Sequence, residues 1–570
     1  MHMKSAFKKI LNSSSGIAIL GLIFFALSYI LILRNHPFIT GDTGIIGLIA
    51  SDIREGRFLS WFFYGQIYFG NFYPAVLAVL SLFSGLSINS IIFWDHLFFA
   101  LTLIVLALRI RWPNPLFSVA FFVPLFFLNQ FTIFSFALSY SFPIFIIIAF
   151  FALYEHLWSN QRYPAPWVWF LTGLFTTLSL WHFQLYIIIF PIFCALVILQ
   201  FWFQGHLPKL QGFVAGTAGL IIGSIPFIFG GISTEWRSIE FFTSPKNSSA
   251  LLDILVAARY YAIEFLVYFF HGRAGSIEYE YSWNFIRQIA SNPTALIGLA
   301  ITSIISAALL ISLFKPQRNI VAYLFIAGIT LLLLLRGVDN PNQIFSNIRY
   351  SMLVHIMLLF VAIRTLFEGW QLDYGFLKPK VYTSLNSVFV VLVLLLFIPS
   401  IISQASFRNG KHAYELAFDD LVELDARYVY CYNYWEICGQ LAFLASQNDQ
   451  LTVQILDPDT QIINNRVGRN PGSYGIVDQA VKDGRQVYTI ASEFLAWSAP
   501  EDAVILEEYL FVGVKPYYLI DKPVICAPNT DFTASNPISG QGWTNCGLIE
   551  NDFNEYKQSE QYQPVTIIDQ

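Results

Sequence analysis

The chain has 570 residues, of which 56% are hydrophobic and only 12% charged. An ordinary globular protein carries about 25% charged residues, so this composition belongs to a membrane protein. The net charge of −5 excludes a basic nucleic-acid face, and no Walker-type loop, CxxC pair or HExxH helix occurs.

The N-terminus is positive, with Lys4, Lys8 and Lys9 preceding an apolar run over residues 16–33. A secretory signal has a similar layout, but this run approaches the ~20 residues of a full span and no A-x-A site follows. The sequence therefore predicts an uncleaved first span with a cytoplasmic N-terminus. Further spans are expected near 90–108, 115–130, 133–153, 167–181, 185–203, 211–230, 294–314, 320–335, 350–366 and 384–403. The total is about eleven, an odd number that places the C-terminus outside. Charge supports this orientation. Arg109, Arg111, Arg162, Lys209, Lys315, Arg318, Arg364, Lys378 and Lys380 all fall on the cytoplasmic side, whereas the short outer turns near Gln130 and His182 carry no Lys or Arg.

Two outer loops are long, near 35–89 and 231–292. In the first, Ile45, Ile46, Ile49 and Ile53 recur at near-helical spacing, with Asp52, Arg54 and Glu55 interspersed. That pattern predicts a helix lying along the membrane surface. The stretch 72–83 is apolar but short for a span, and a second interfacial helix is expected there; 251–270 is another half-apolar stretch.

Polar residues return after Ser403. The domain division expected is a membrane domain over 1–404 and a soluble extracytoplasmic α/β domain over 405–570. In the latter, strands are expected at 428–432, 451–456, 487–491, 503–506 and 517–520, with a helix over 434–445. Cys431, Cys438, Cys526 and Cys546 lie in this part, which permits a disulfide in an external domain without fixing the pairing.

The segment richest in chemistry follows the first span: Gly41-Asp42-Thr43-Gly44, then a helix ending in Gly56, then Tyr64-Gly65-Gln66-Ile67-Tyr68-Phe69-Gly70. This arrangement resembles membrane glycosyltransferases of the GT-C fold, such as protein O-mannosyltransferases and the aminoarabinose transferase of lipid A. It is most similar to a bacterial group with GDE-type starts and a YGQ-x-Y-x-G loop. Asn347-Ile348-Arg349-Tyr350 resembles the Arg-Tyr that opens a late span in this family. Tyr432-Asn433-Tyr434-Trp435, with Leu441-Ala442-Phe443-Leu444, resembles the tyrosine–tryptophan helix of its C-terminal domain.

The resemblance implies sugar transfer from a polyprenyl-phosphate donor to a hydroxyl at the outer face of a bacterial inner membrane. The acceptor class, whether glycan, lipid or protein, stays open. Asp42 is then the general base and Arg349 the ligand of the donor phosphate. Tyr64, Gln66, Tyr68, Asp95, His182 and Tyr350 are expected to line the site, and His96 and Gln184 lie beside two of them. Arg259, Glu264, His271 and Arg273 are either acceptor-side groups or a solvated face. Plainer readings stand beside these: Asp42 as the N-cap of a helix starting near Thr43, Arg349 as a headgroup-seeking charge, Asp95 and His96 as an interfacial pair, and His182 as a headgroup-level histidine.

The chain departs from the family pattern at three places. Thr43 stands where a second acidic residue is common, Tyr73 where the close group has glutamate, and the turn at 131–140 has no carboxylate. These departures weaken a paired-carboxylate metal site, although a divalent cation stays open as a cofactor. The competing functions are a lipid or polysaccharide transporter, which would show inverted repeats, and an inactive member whose external domain binds a partner.

Overall fold

The computed structural model describes residues 14–33, 41–56, 61–62, 70–127, 141–160, 162–182, 209–233, 236, 293–314, 348–368, 379–406, 412–432, 437–447, 451–456, 476–511 and 515–524. In chain order, α1 (Ser14–Ser28) runs into a π-helical turn (Tyr29–Leu33). It is followed by α2 (Gly41–Arg54), α3 (Phe72–Ser84), α4 (Ile88–Leu108), a 3-10 turn (Pro115–Ser118), α5 (Val119–Phe126), α6 (Ser141–Ser159) and α7 (Pro166–His182). Then come α8 (Leu210–Ser233), α9 (Pro293–Phe314), α10 (Ile348–Glu368), α11 (Pro379–Ser406) and α12 (Ala413–Glu423). The C-terminal part contains β1 (Tyr428–Tyr432), α13 (Gly439–Ser446), β2 (Thr452–Leu456), α14 (Ile476–Lys482), β3 (Tyr488–Ser492), α15 (Glu493–Trp497), β4 (Ile505–Phe511) and β5 (Lys515–Ile520).

Helices lie at the expected spans that the described residues reach, except that 115–130 holds a 3-10 turn and the eight-residue α5. Among those residues, Ser14–Leu31, Ile88–Leu108 and Leu210–Ser233 are long and apolar enough to cross a bilayer. The expected spans at 185–203 and 320–335 lie outside the described residues, as do the turn at 131–140 and the stretch 251–270. The chain divides into two compact units. One comprises Met1–His36, Ile92–Ile228 and Glu240–Arg408; the other comprises Pro37–Ile91, Phe229–Ile239 and Asn409–Gln570. Residues 37–91 thus belong to the same unit as the C-terminal residues.

In the first unit, helices pack through aromatic rings and small residues. The His96 ring stacks on Phe25 at 5.3 Å between centroids, and its Nε2 lies 2.7 Å from the Ser28 hydroxyl. Helices α7 and α8 cross on bare backbone: a Cβ at Gly173 would lie 2.2 Å from the Gly216 carbonyl oxygen, and one at Gly219 would lie 2.1 Å from the Phe170 carbonyl oxygen. Small residues serve this purpose in lipid, where no hydrophobic drive brings helices together and close packing must do so. A Cβ at Gly216 would meet its nearest neighbour at an ordinary 3.6 Å. Gly219→Ala is therefore expected to destabilise the protein by about 1–3 kcal/mol, as overpacking does. Gly216→Ala is expected to be neutral or slightly stabilising. Thermal unfolding of the two variants in detergent checks the contrast, and equal midpoints would contradict this crossing.

Away from that contact, α8 exposes Phe213, Val214, Ile221 and Ile232. Along α11, Leu385, Val388, Val391, Leu395 and Ile398 form an exposed stripe while Phe389, Val393 and Phe397 are buried. Such one-sided apolar exposure suits helices with one face to lipid.

Charged residues knit the end of the first unit that the charge rule assigns to the cytoplasm. Arg109 Nε donates to Glu155 Oε2 at 3.1 Å, and Arg364 Nη1 donates to Glu155 Oε1 at 3.0 Å. Arg364 Nε also donates to Glu368 Oε2 at 3.2 Å, and Glu368 Oε1 accepts the Arg111 backbone N–H at 2.9 Å. Glu155, Arg364 and Glu368 are all buried. Two arginines thus face two glutamates, tying α4, α6 and α10 into one cluster.

The C-terminal part of the second unit is a five-stranded sheet in the order β2-β1-β3-β5-β4. The strands β2, β1 and β3 run parallel, while β5 is antiparallel to both β3 and β4. Parallel neighbours need crossover connections, and α13 and α14 supply them. Tyr430 and Tyr432 pack with Val477, Ala480, Leu495 and Ala496 on one face. By alternation Val429 and Cys431 point to the other. The Tyr432 hydroxyl donates to the Val524 carbonyl at 2.9 Å, and the Tyr509 hydroxyl donates to Asp420 Oδ2 at 2.8 Å. Burial, and then the Asp420 carboxylate, push the Tyr509 phenol above its usual range and keep it a neutral donor.

All five expected strands occur; four match their expected ends within about two residues, while the one expected over 503–506 runs from Ile505 to Phe511. The helix expected over 434–445 is seen from Gly439 to Ser446, with 433–436 outside the described residues. Among the described residues one disulfide forms, Cys431–Cys438, joining β1 to the residue before α13. Cys526 and Cys546 lie outside the described residues. Closing a loop with a sequence separation of 7 constrains the unfolded chain by about 2–3 kcal/mol. Replacing both cysteines by alanine should lower the stability of the C-terminal part by about that amount. Urea titration followed by near-ultraviolet circular dichroism would measure it, and an unchanged midpoint would refute it.

Candidate functional site

Helix α2 is the element that positions Asp42. It begins at Gly41, so Asp42 lies inside the first turn rather than at the cap position before it. Asp42 is 8% exposed. A carboxylate in a helix's first turn is favoured by the partial positive charge of the unpaired N–H groups there. The helix ends at Arg54, and Gly56, with φ of 76°, turns the chain away in a left-handed conformation that glycine adopts freely.

The near-helical isoleucine spacing is confirmed as a helix, but this helix is not merely half-buried. Ile45, Ile46 and Ile49 are buried, and so are Leu48, Ala50 and Asp52 on other sides. Two glycines explain the burial. A Cβ at Gly44 would lie 2.2 Å from the Gly439 carbonyl oxygen and 2.4 Å from the Gln440 nitrogen. One at Gly47 would lie 2.7 Å from the Phe443 ring. The absent side chains let α2 rest directly on the start of α13, so a surface expected to face lipid faces protein instead.

Helix α3 completes this neighbourhood. Phe62 and Gly70 form an antiparallel bridge, and Asn71 Nδ2 donates to the Phe62 carbonyl at 2.9 Å. Tyr73 in the first turn of α3 is fully buried. The far end of α3 exposes Val79, Leu82 and Phe83, which suits the interfacial helix expected there. Trp61 stacks on Phe229 of α8 at 5.6 Å, joining residues 37–91 to residues 229–239 within this unit.

The remaining expected site residues distribute as follows. Tyr64, Gln66 and Tyr68 lie outside the described residues, as do Gln184, Arg259, Glu264, His271 and Arg273. Arg349 and Tyr350 occupy the first turn of α10. Asp95 is fully buried and its Oδ2 accepts the hydroxyl of Ser141, the first residue of α6, at 3.3 Å. Its neighbour His96 bonds Ser28 of α1 instead. These two residues therefore reach different helices. His182 ends α7 and is buried beside Trp181. Asp42 belongs to the second unit; Asp95, His182, Arg349 and Tyr350 belong to the first.

Two features escaped the sequence reading. The seat of α2 on α13 was signalled by the Gly44–Gly47 spacing, but its partner lies almost 400 residues away in sequence, a span no local pattern covers. The Glu155 cluster was signalled by a carboxylate near the end of an apolar run, which is costly in a membrane unless paired. As for metal, Thr43 leaves no carboxylate adjacent to Asp42, and among the described residues no three His, Cys, Asp or Glu side chains converge.

No protein-family model matches the chain, and no curated protein matches it. Solved structures do. The apo crystal structure of ArnT from Cupriavidus metallidurans is 10% identical, with a TM-score of 0.53 over 89% of this chain and 97% of that one. The oligosaccharyltransferase AglB from Archaeoglobus fulgidus, in complex with an inhibitory peptide and a dolichol-phosphate, is 12% identical, with a TM-score of 0.45 over 85% of this chain and 69% of that one. The arabinofuranosyltransferase AftD from Mycobacteria is 13% identical, with a TM-score of 0.38 over 84% of this chain and 35% of that one. At such identities the likeness speaks for fold, and it is the ArnT match, spanning nearly the whole of both chains, that carries it. With apolar helices of membrane-spanning length and a C-terminal α/β sheet in place, the chain is a membrane protein of the GT-C fold.

Proposed function

We propose that this chain is a membrane glycosyltransferase that moves a sugar from a polyprenyl-phosphate donor to an acceptor hydroxyl at the outer face of the membrane. The observation that carries the reading is Asp42: a buried carboxylate in the first turn of the helix that follows the first span, in a chain of GT-C fold. The division of labour follows from the chemistry. Asp42 takes the proton of the acceptor hydroxyl, whose oxygen attacks the anomeric carbon. The bond from that carbon to the phosphate oxygen breaks, and polyprenyl phosphate leaves with the bonding pair. A base must lie within hydrogen-bond reach of the proton it removes. The departing phosphate needs a fixed cation, and the planar fork of Arg349 suits two of its oxygens.

The grouping of residues 37–91 and 229–239 with the C-terminal part in one unit supports placing these segments on the same, outer side. The expected partition into a membrane domain over 1–404 and an external domain over 405–570 is retained in this reading, with the first outer loop joined to the external part.

The test is transfer by the purified chain in lipid nanodiscs. Radiolabelled short-chain polyprenyl-phosphate hexoses and pentoses serve as donors and a membrane extract as acceptor, with and without added magnesium or manganese. Release of polyprenyl phosphate coupled to label on the acceptor is expected. Labelled donor crossing into sealed vesicles without transfer would instead identify a transporter. Neither transfer nor transport would leave an inactive GT-C protein.

A further inference from the structure

We infer that α13 of the C-terminal domain positions Asp42, through the backbone seat of Gly44 on Gly439 and of Gly47 on Phe443; this rests on Asp42 being the base. Gly44 lies two residues beyond Asp42 on the same first turn. Its neighbour across the crossing is main chain, which cannot move aside as a side chain can. The start of α13 is itself fixed. Cys438, immediately before Gly439, is fully buried and bonded to Cys431 in the central stretch of the parallel sheet, where Cys431 pairs with both Ile455 and Ile490. Gln440 and Phe443 on α13 are also fully buried. A rigid path thus runs from the sheet, through one disulfide and one glycine contact, to the turn bearing the carboxylate. The other end of α13 is tied too: Gln447 Nε2 donates to the Leu86 carbonyl at 3.0 Å, just past α3.

Positioning has a distinct kinetic signature. Displacing a catalytic group by about 1 Å costs on the order of 10²-fold in rate without touching substrate affinity. Gly44→Ala forces its Cβ into the Gly439 carbonyl and must shift the first turn of α2. Gly47→Ala meets the Phe443 ring first, at 2.7 Å, so its displacement can be relieved by trimming that ring.

The experiment measures kcat and donor KM per folded molecule in nanodiscs, using the radiolabelled polyprenyl-phosphate sugar active in the transfer assay. Gly44→Ala is expected to lower kcat by roughly 10–100-fold with donor KM unchanged. Gly47→Ala is expected to lower kcat less, and Gly47→Ala with Phe443→Leu to recover most of it. Arg54→Ala, exposed on the same helix, should keep the parental rate. Parental kcat in both glycine variants overturns the inference while leaving Asp42 as base, provided Asp42→Asn is inactive. A Gly44→Ala defect beside an Asp42→Asn variant of parental rate overturns it as well, and with it the base assignment. Should Gly44→Ala fail to fold, the Gly47 and Phe443 pair decides: rescue supports positioning, and a kcat that stays low in the double variant refutes it.

Discussion

Asp42→Asn is expected to lower sugar transfer by about 10²–10⁴-fold while the protein stays folded, the range that loss of a general base produces. The substitution keeps the size and hydrogen-bonding shape of the side chain and removes its basicity. The competing structural roles predict far smaller effects. Loss of a helix cap costs about 0.5–2 kcal/mol of stability, and asparagine itself caps well. Loss of a favourable charge in the first turn costs about 0.3–1 kcal/mol. Because α2 starts at Gly41, Asp42 does not occupy the cap position, which makes the charge effect the relevant structural one. Transfer rate and thermal midpoint measured on the same preparation separate the readings. An Asp42→Asn protein that transfers sugar at the parental rate removes Asp42 from the active site. Arg349→Lys probes the leaving group on a second axis. It keeps the charge and loses the planar fork, so a raised donor KM is expected if Arg349 grips the phosphate.

The second large effect is on stability and lies in the other unit. Glu155→Gln is expected to destabilise the protein by about 3–5 kcal/mol, the range for breaking a buried pair by removing one partner. Glu155 accepts from both Arg109 and Arg364, and Arg364 is buried, so the substitution leaves an excess positive charge among helices α4, α6 and α10. The low-dielectric surroundings of apolar helices make an uncompensated charge costly. Arg364→Met with Glu155→Leu removes opposite charges together and is expected to recover part of the loss. Thermal unfolding in detergent reports both. A Glu155→Gln protein with a parental midpoint would show that the cluster contributes nothing to stability.

Local patterns made much of the chain legible. The isoleucine spacing gave α2, and the length and apolarity of 72–83 gave α3 as a helix too short to span. Short β-branched and aromatic runs between polar breaks marked the strands of the C-terminal sheet. The cysteine count allowed a bridge but could not choose among pairings, since the choice depends on which Cβ atoms the fold brings within reach. Helix α12 was missed, although Glu415 accepting the His412 N–H is an ordinary start signal. The short α14 and α15 were missed because so few residues carry no clear period.

What the sequence by itself determined was the membrane class, the candidate carboxylate after the first span and the alternation of strands with helices. Each depends on composition or on neighbours within one helical turn or strand. What only the tertiary structure decided was how those pieces meet. It chose Cys431 with Cys438, and it turned the apolar face of α2 from lipid to protein. It also gave Glu155 two arginines from helices far apart in sequence. The physical reason is the same in each case. A glycine, a cysteine or a buried charge acquires its role from the atom across the contact, and the residue that supplies it is chosen by packing, not by distance along the chain.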